Sequence, residues 1–363
     1  MNNLYQRSVE IILQNQSSNG AFVASPNFPT YHFCWFRDAS FVAYAMDLAR
    51  QHESARRFHQ WAADRINERE SQILSSIQKA RAGETLLESD VLHTRYRLDG
   101  LPDEPGLWPN FQLDGFGTWL WALRENIRMT GQDLPDDWRK AAGLVADYLS
   151  TLWLLPCYDC WEEFPEQVHP HTLAAIYGGL KAHTALTAVD HSQVLGAIKE
   201  NLLANAAEFG HFVKFSGSPE VDASLLGLAV PYGVVTPDDP RMLHTVKQIE
   251  QTILHEGGLH RYAADTYYGG GAWTLLSAWL GWYYHELAKC NPSFARTSLE
   301  KSAVLKGWVE AQAGNGRYDG WLPEQVPTHL NDSTYYPEWV ARWGEIANPL
   351  LWSQAKYIIM CQM

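Results

Sequence analysis

The chain has 363 residues, 46% hydrophobic and 19% charged, with no Ser/Gly run, charge block or low-complexity tract, which is a globular composition with a sizeable core. A formal net charge of -13 argues against nucleic acid as a partner, since that binding needs clustered Lys and Arg, and favours a neutral or cationic ligand. No apolar run approaches the roughly 18 to 20 residues of a membrane span, MNNLYQRSVEIILQNQ lacks an export-signal layout, and the five cysteines form no disulfide framework. The expectation is a single domain over residues 1–363, cytoplasmic and without a membrane partner.

Periodicity of 3.6 residues, with capping and breaker signals, predicts about twelve helices and no convincing series of strands. In chain order they cover 2–15, 37–50, 51–79, 114–130, 135–154 and 172–188, then 191–208, 222–229, 240–254, 272–287, 292–313 and 349–360. Two starts carry their own mechanism. Asp239 caps ahead of Pro240 and Asn291 ahead of Pro292, each placing proline where an unpaired N–H would be wasted.

The links after even-numbered helices are short or modest, whereas those after odd-numbered helices are long and rich in Trp, Tyr, Gly and Pro. An up-down helical array alternates direction, so all the long links emerge at one end. Six hairpins in a ring would gather them around one mouth, where a rigid scaffold presents functional residues. The 16 tryptophans point the same way, because an indole N–H wants a partner and an excess of them implies a wet aromatic cleft as well as packing.

The first long link ends in YHFCWFRDASF, with Tyr31, Trp35, Arg37 and Asp38; the second contains WPNFQLDGFGTW, with Trp108, Gln112 and Asp114. The third is CYDCWEEFPEQVHPH, with Trp161, Glu162 and Glu163. Later links contain EVDASLL, GGLHRYAADTYYGGGAW (Arg261, Tyr267, Trp273) and GWLPEQVPTHLNDSTYYPEW (Glu324). Each combines aromatic faces with carboxylate, amide or guanidinium groups. This is what a carbohydrate pocket requires, since sugar C–H faces pack on rings while hydroxyls take paired hydrogen bonds. Within the third link, Cys157, Cys160, His169 and His171 have a spacing able to ligate zinc, but structural zinc sites use tighter pairs on small domains. A redox C-x-x-C would want a thioredoxin-like βαβ context, and helices surround this one.

The motifs WFRD, WPNFQLDG, YDCWEE, VDASLL, HRYAADTYY, LPEQV and NPLLWSQAKYI, in this order, resemble glycoside hydrolase family 15, the glucoamylase and glucodextranase family, from about Tyr31 to Ile359. The resemblance implies an (α/α)6 barrel, an exo-acting α-glucoside hydrolase, and no cofactor or metal. It implies Glu162 as the general acid and Glu324 as the general base, facing each other across roughly 6.5 to 9.5 Å, the gap that holds a water for inversion. On this reading Glu162 stays protonated through a raised pKa while Glu324 stays ionised. Arg37 and Asp38 grip the terminal glucose, Glu163 contacts the leaving-group side, and Arg261 and Tyr267 contact ring and hydroxyls. Tyr31 and Trp273 form walls, with Trp35, Trp108, Gln112, Asp114 and Trp161 around them. WPNFQLDG departs from fungal glucoamylases, which carry a basic residue before the proline, so its location is carried over more firmly than its contacts. Asp222 reads as a helix cap.

The bland readings remain beside these: an acidic segment at a helix dipole for Glu162 and Glu163, an ion pair at a helix start for Arg37 and Asp38, and a plain loop carboxylate for Glu324. Rival functions are an epimerase on the same toroid, which would rely on paired histidines, and a non-catalytic sugar-binding protein. Within the hydrolase reading the linkage stays open among α-1,6, α-1,4 and the α,α-1,1 bond of trehalose. Short α-1,6 substrates such as isomaltose are favoured, with glucose as product.

Overall fold

The computed structural model describes residues 3–104, 106 and 108–363. Asn2, the expected first residue of the opening helix, and Leu107, in the loop expected to shape the leaving-group side, lie outside the described residues. The helices are α1 (Asn3–Gln14), α2 (Phe36–Leu48), α3 (His52–Asn67), α4 (Glu70–Arg81), α5 (Asp114–Thr130), α6 (Asp136–Leu152) and α7 (Pro170–Thr187). They continue with α8 (Ser192–Phe209), α9 (Pro240–Thr252), α10 (Thr274–Cys290), α11 (Ala295–Ala311), α12 (Tyr335–Trp343) and α13 (Leu351–Gln362).

An inner ring closes through α2, α5, α7, the 3-10 turn Ala223–Leu228, α10 and α13, which packs back on α2. Helices α1, α3, α6, α8, α9 and α11 form the outer layer, giving the six-hairpin (α/α)6 toroid. Sequence patterning explains the two layers. In α2 every residue from Phe36 to Asp47 is buried, as in an element covered on all sides. In α6 the buried set is a stripe of Trp138, Ala141, Ala142, Val145, Ala146, Tyr148, Leu149 and Leu152, as in an outer helix with one wet face. Small residues set the tightest crossing: a Cβ on Gly117 of α5 would stand 2.3 Å from the Ala175 carbonyl oxygen of α7. Any larger side chain there would push the ring apart.

Four features depart from the sequence reading. The helix expected over 51–79 is two, bent at Glu68 and Arg69, where Arg69 bonds back to the Arg65 carbonyl (2.7 Å) and its guanidinium lies 4.6 Å from the Tyr96 ring. No proline or glycine marks this break; a tertiary contact makes it. The element expected over 222–229 is a 3-10 turn that Asp222 caps by accepting from the Ser224 amide at 2.8 Å. Helix α12 lies in what reads as loop. Short strands also occur: β1 (Phe33–Trp35) pairs with β2 (Arg95–Arg97), and β3 (Leu254–His255), β4 (Gly258–Leu259), β5 (Ala272–Trp273) and β6 (Gln325–Val326) form one antiparallel sheet. At two or three residues each they are too short for period-2 alternation to show. They matter because they set Trp35 against Arg95 and Trp273 against Gln325.

On the barrel axis lies Lys356 of α13, with no accessible surface and, among the described residues, no hydrogen-bond partner. Its ammonium nitrogen is 3.4 Å from the ring centres of both Phe41 and Trp279. The aromatic faces offset part of the desolvation cost of a cation, yet burial still pushes its pKa well below that of an ordinary lysine. The unfolded chain therefore binds more protons than the native one between that depressed pKa and about 10.4, and stability rises with pH across the window. Lys356→Met, similar in volume and uncharged, is expected to gain about 1 kcal/mol or more near neutral pH. The gain should shrink toward pH 10, as melting temperatures of the two proteins across pH would report.

Candidate active site

The long links meet at the N-terminal end of the inner ring around a pocket of about 310 Å³. Its lining includes Tyr31, Trp35, Arg37, Asp38, Trp108, Trp161, Glu162, Glu163, Arg261, Tyr267, Trp273 and Glu324. Gln112 and Asp114 stand behind this wall. Arg37 Nη1 donates to Gln112 Oε1 at 2.9 Å and to Asp114 Oδ2 at 3.4 Å, while its Nε is 3.3 Å from Asp38 Oδ2. The two therefore orient Arg37, and Gln112 also reaches Glu162.

Glu162 sits in a turn far from any helix start, since α7 begins only at Pro170, so no helix dipole explains it. Asp159 builds that turn. Its Oδ1 accepts from the amides of Trp161 and Glu163, each at 2.9 Å, and its carbonyl accepts from the Glu162 amide at 3.0 Å. The backbone of Glu162 is left-handed, φ 70°, a conformation costing a non-glycine residue about 1 kcal/mol or more. Lys214, buried, spans Asp159 Oδ2 (3.3 Å) and Asp222 Oδ2 (2.7 Å), and Asp222 accepts from the Trp161 indole at 3.0 Å. Asp222 is thus both the cap read from sequence and an anchor of the turn. At the side chain, Trp35 Nε1 (2.7 Å) and Gln112 Nε2 (3.1 Å) both donate to Glu162 Oε1, leaving Oε2 unengaged.

Glu324 comes from the opposite wall. Its amide donates to the Ala347 carbonyl (2.9 Å), its carbonyl accepts from the Thr274 amide (3.2 Å), and Gln325 continues into β6. The residue is 2% exposed and its Oε2 has no hydrogen-bond partner. Burial pushes its carboxyl up to about 8, outweighing the opposing pull of the Tyr31 hydroxyl and Arg261. An ionised Glu324 is the expectation from sequence; the upward shift runs against it, because burial outweighs cations that are engaged elsewhere. Arg261 is spent on Asp265 (2.8 and 2.5 Å) and Glu163 (3.3 Å). Asp38 is likewise pushed up by burial, to about 6, against the pull of Arg37.

The aromatic walls are pinned by the same groups. The Arg261 guanidinium lies 5.5 Å from the Trp161 ring and 5.3 Å from both Tyr267 and Trp273, and the Tyr31 and Tyr267 hydroxyls are bonded at 2.8 Å. Glu163 accepts from the Tyr262 hydroxyl at 2.6 Å. Trp108 packs under Arg95, 3.9 Å away, and stands 6.3 Å from Trp343 of α12, so the two sides of the mouth meet ring to ring. Asp159, Lys214, Asp265 and Trp352 complete the site and its supports without having been assigned roles from sequence, while Trp339 and Arg342 belong to the 339–343 segment that the sequence reading sets at the mouth. Asp159 and Asp265 lie inside quoted motifs, so the signal was present; nothing local marks Lys214.

The cysteine and histidine set of the third link is dispersed into packing. Burial pushes the Cys157 thiol up to about 12. His169 Nε2 is 3.1 and 3.0 Å from the Cys157 and Phe164 carbonyls, and His171 Nδ1 is 2.9 Å from the Ser224 carbonyl.

Two carboxylates in an aromatic pocket on an (α/α)6 toroid define a glycoside hydrolase. The profile of glycosyl hydrolases family 15 matches residues 1–361, and the chain belongs to that family. It is an exo-acting hydrolase related to isomaltose glucohydrolase and glucoamylase. Isomaltose glucohydrolase of Kribbella flavida is 38% identical over 368 residues, covering 99% of this chain and 92% of that protein. Trehalase 1 of Sulfolobus acidocaldarius is 25% identical over 268 residues, 71% of this chain and 47% of that one. A solved glycosidase variant in complex with glucose has a TM-score of 0.91 at 37% identity, covering 99% of this chain and 95% of that one.

The raised Glu324 pKa has a consequence for stability. Between the ordinary carboxyl range near 4.3 and about 8 the native chain holds a proton that the unfolded chain has lost, so this group's contribution falls as pH rises through the window. Glu324→Gln removes that dependence. Its melting temperature should exceed that of the wild type by more at pH 8 than at pH 5, and an equal difference at both would contradict the burial argument.

Proposed function

We propose that this chain acts as one catalytic domain that hydrolyses short α-glucosides from the non-reducing end with inversion, Glu162 serving as general acid and Glu324 as general base. The observation that carries the roles is the asymmetry of the two carboxyls. Glu162 has one oxygen held by two donors and the other open to carry a proton toward a glycosidic oxygen. Glu324 lines the opposite wall of the same pocket, set there by rigid backbone contacts and pushed up by burial. The acid protonates the leaving oxygen while the base takes a proton from water attacking the opposite face of the sugar, a single displacement that inverts the carbon.

A base must be ionised to work, and burial pushes Glu324 up to about 8. Substrate hydroxyls and the attacking water bring donors to this carboxylate, and donors to a carboxylate favour the charged form. The competent state has Glu324 ionised, so the acid limb of the pH–rate profile reports its protonation. Arg37 and Asp38 hold hydroxyls of the terminal glucose at the floor, Arg261 and Glu163 those nearer the leaving group, and the tryptophan and tyrosine walls pack on its C–H faces. Glu162→Gln and Glu324→Gln should each lower kcat on the order of 10²-fold or more while leaving the fold intact, since an amide keeps the shape but cannot transfer the proton. Either variant retaining near wild-type turnover would remove its role.

Isomaltose-type α-1,6 linkages are the favoured substrates, on the likeness to isomaltose glucohydrolase and on the Trp108–Trp343 constriction, which disfavours long chains. Trehalose is the second reading, from the likeness to Trehalase 1. Hydrolysis rates on isomaltose, maltose, trehalose and soluble starch should give kcat/KM highest for isomaltose, and proton NMR of glucose released from soluble starch should show the β-anomer first. A tenfold win for another substrate, about 1.4 kcal/mol of transition-state binding, would overturn the linkage assignment, whereas α-glucose appearing first from starch would overturn inversion.

A further inference from the structure

The catalytic residues occupy only one end of the toroid. The C-terminal halves of the same inner elements enclose a second cavity, about 430 Å³ against 310 Å³ at the front, inside the roughly 300–1,000 Å³ range of small-molecule sites. The two cavities are separate. Between them the axis is filled by Phe41, Trp279 and Lys356, whose nitrogen lies 5.9 Å from Trp352 in the front pocket's lining and 5.3 Å from Trp282 in the rear one's.

The rear cavity is walled by Tyr44, Trp121 and Trp282. The Tyr44 ring stacks on Trp282 (centroids 5.9 Å, 22°) and lies 4.7 Å from Trp121. Their polar atoms decide what such a wall can take. The Tyr44 hydroxyl and the two indole N–H groups make no hydrogen bond among the described residues, and none is among the sealed, unsatisfied atoms of the interior. They therefore reach open space, and tyrosine and tryptophan this deeply set ordinarily find a partner. At the rim Lys181 is exposed and has no ion pair, whereas Glu125 is paired with Arg124 and Arg128, and Glu286 with Lys289 at 2.9 Å. A cation would meet Lys181 and Arg124 with both carboxylates already neutralised. The wall itself is three rings whose polar atoms are a hydroxyl and two neutral N–H donors, so a ligand with C–H faces for the rings and hydroxyls for those donors suits it.

We infer that this rear cavity is a second sugar site, taking a single pyranose ring such as glucose, independent of the catalytic pocket. The inference does not rest on the roles proposed for Glu162 and Glu324. Its test is glucose titration of the full chain labelled with 5-fluorotryptophan, followed by fluorine NMR, with the Trp121 resonance assigned by its loss in Trp121→Phe. The expected result is a saturable shift of that resonance. Ala185→Arg, at an exposed position of α7 that lines the cavity, should fill it and abolish the shift while kcat/KM stays within about twofold of wild type. Lys181→Ala should weaken the apparent affinity about 3- to 10-fold through loss of one hydrogen-bonding group. A Trp121 resonance unmoved by glucose at concentrations that saturate the front pocket overturns the inference. So does a shift that survives Ala185→Arg, which would mean the signal is relayed from the front.

Discussion

The buried Lys214 ammonium, shared between Asp159 and Asp222, is the interaction from which the geometry of the site follows. Asp159 needs one oxygen for two backbone amides, which leaves the other to be satisfied by a cation. Asp222 needs one for the Ser224 amide, and it also receives the Trp161 indole. A carboxylate buried without such partners would take a proton instead and lose acceptor capacity. The clasp keeps both as acceptors, and with them the tight turn that holds Glu162 in a left-handed conformation. It also links two consecutive inner-ring connections, so the catalytic wall is positioned by the barrel.

The site's charges are arranged with few to spare. Arg37 is engaged by Asp38, Gln112 and Asp114, and Arg261 by Asp265 and Glu163. Both guanidiniums are fixed before any sugar arrives, so little ordering remains to be done on binding. The same engagement leaves Glu324 without a partner cation, which is why burial dominates its titration. Both arginines are charge-paired with carboxylates, and burial pushes Glu324 toward its neutral form. That suits neutral oligosaccharides better than charged ones, despite the formal charge of -13 on the whole chain.

The barrel core carries the same theme inward. Lys356 places an amine among aromatic rings on the axis, and Trp352, Trp279 and Trp282 run from the front pocket to the rear cavity around it. Inner helices buried on all sides can accept such a column because the outer layer alone faces water. The cost is a polar atom without a partner in the middle of the fold.

Helix periodicity and the alternation of short and long links were enough to read the toroid and to assign all the functional links to one mouth. Local pattern determines amphipathic helices, and an up-down array leaves no other place for their connections. Quoted motifs placed Arg37, Glu162, Arg261 and Glu324 in one pocket for the same reason: each lies on a long link or at the start of the inner element that the link leads into. Tertiary structure alone decided the rest. The bend between α3 and α4 depends on Arg69 meeting Tyr96, and α12 packs on the Tyr267 loop and on Trp108 across the mouth. Gln112 and Asp114 stand behind Arg37 because its guanidinium turns toward them, and Lys214 matters only once two distant aspartates converge on it. The upward shift of Glu324 belongs with these, since desolvation and the occupation of nearby cations are properties of a surrounding volume, which a linear sequence does not display.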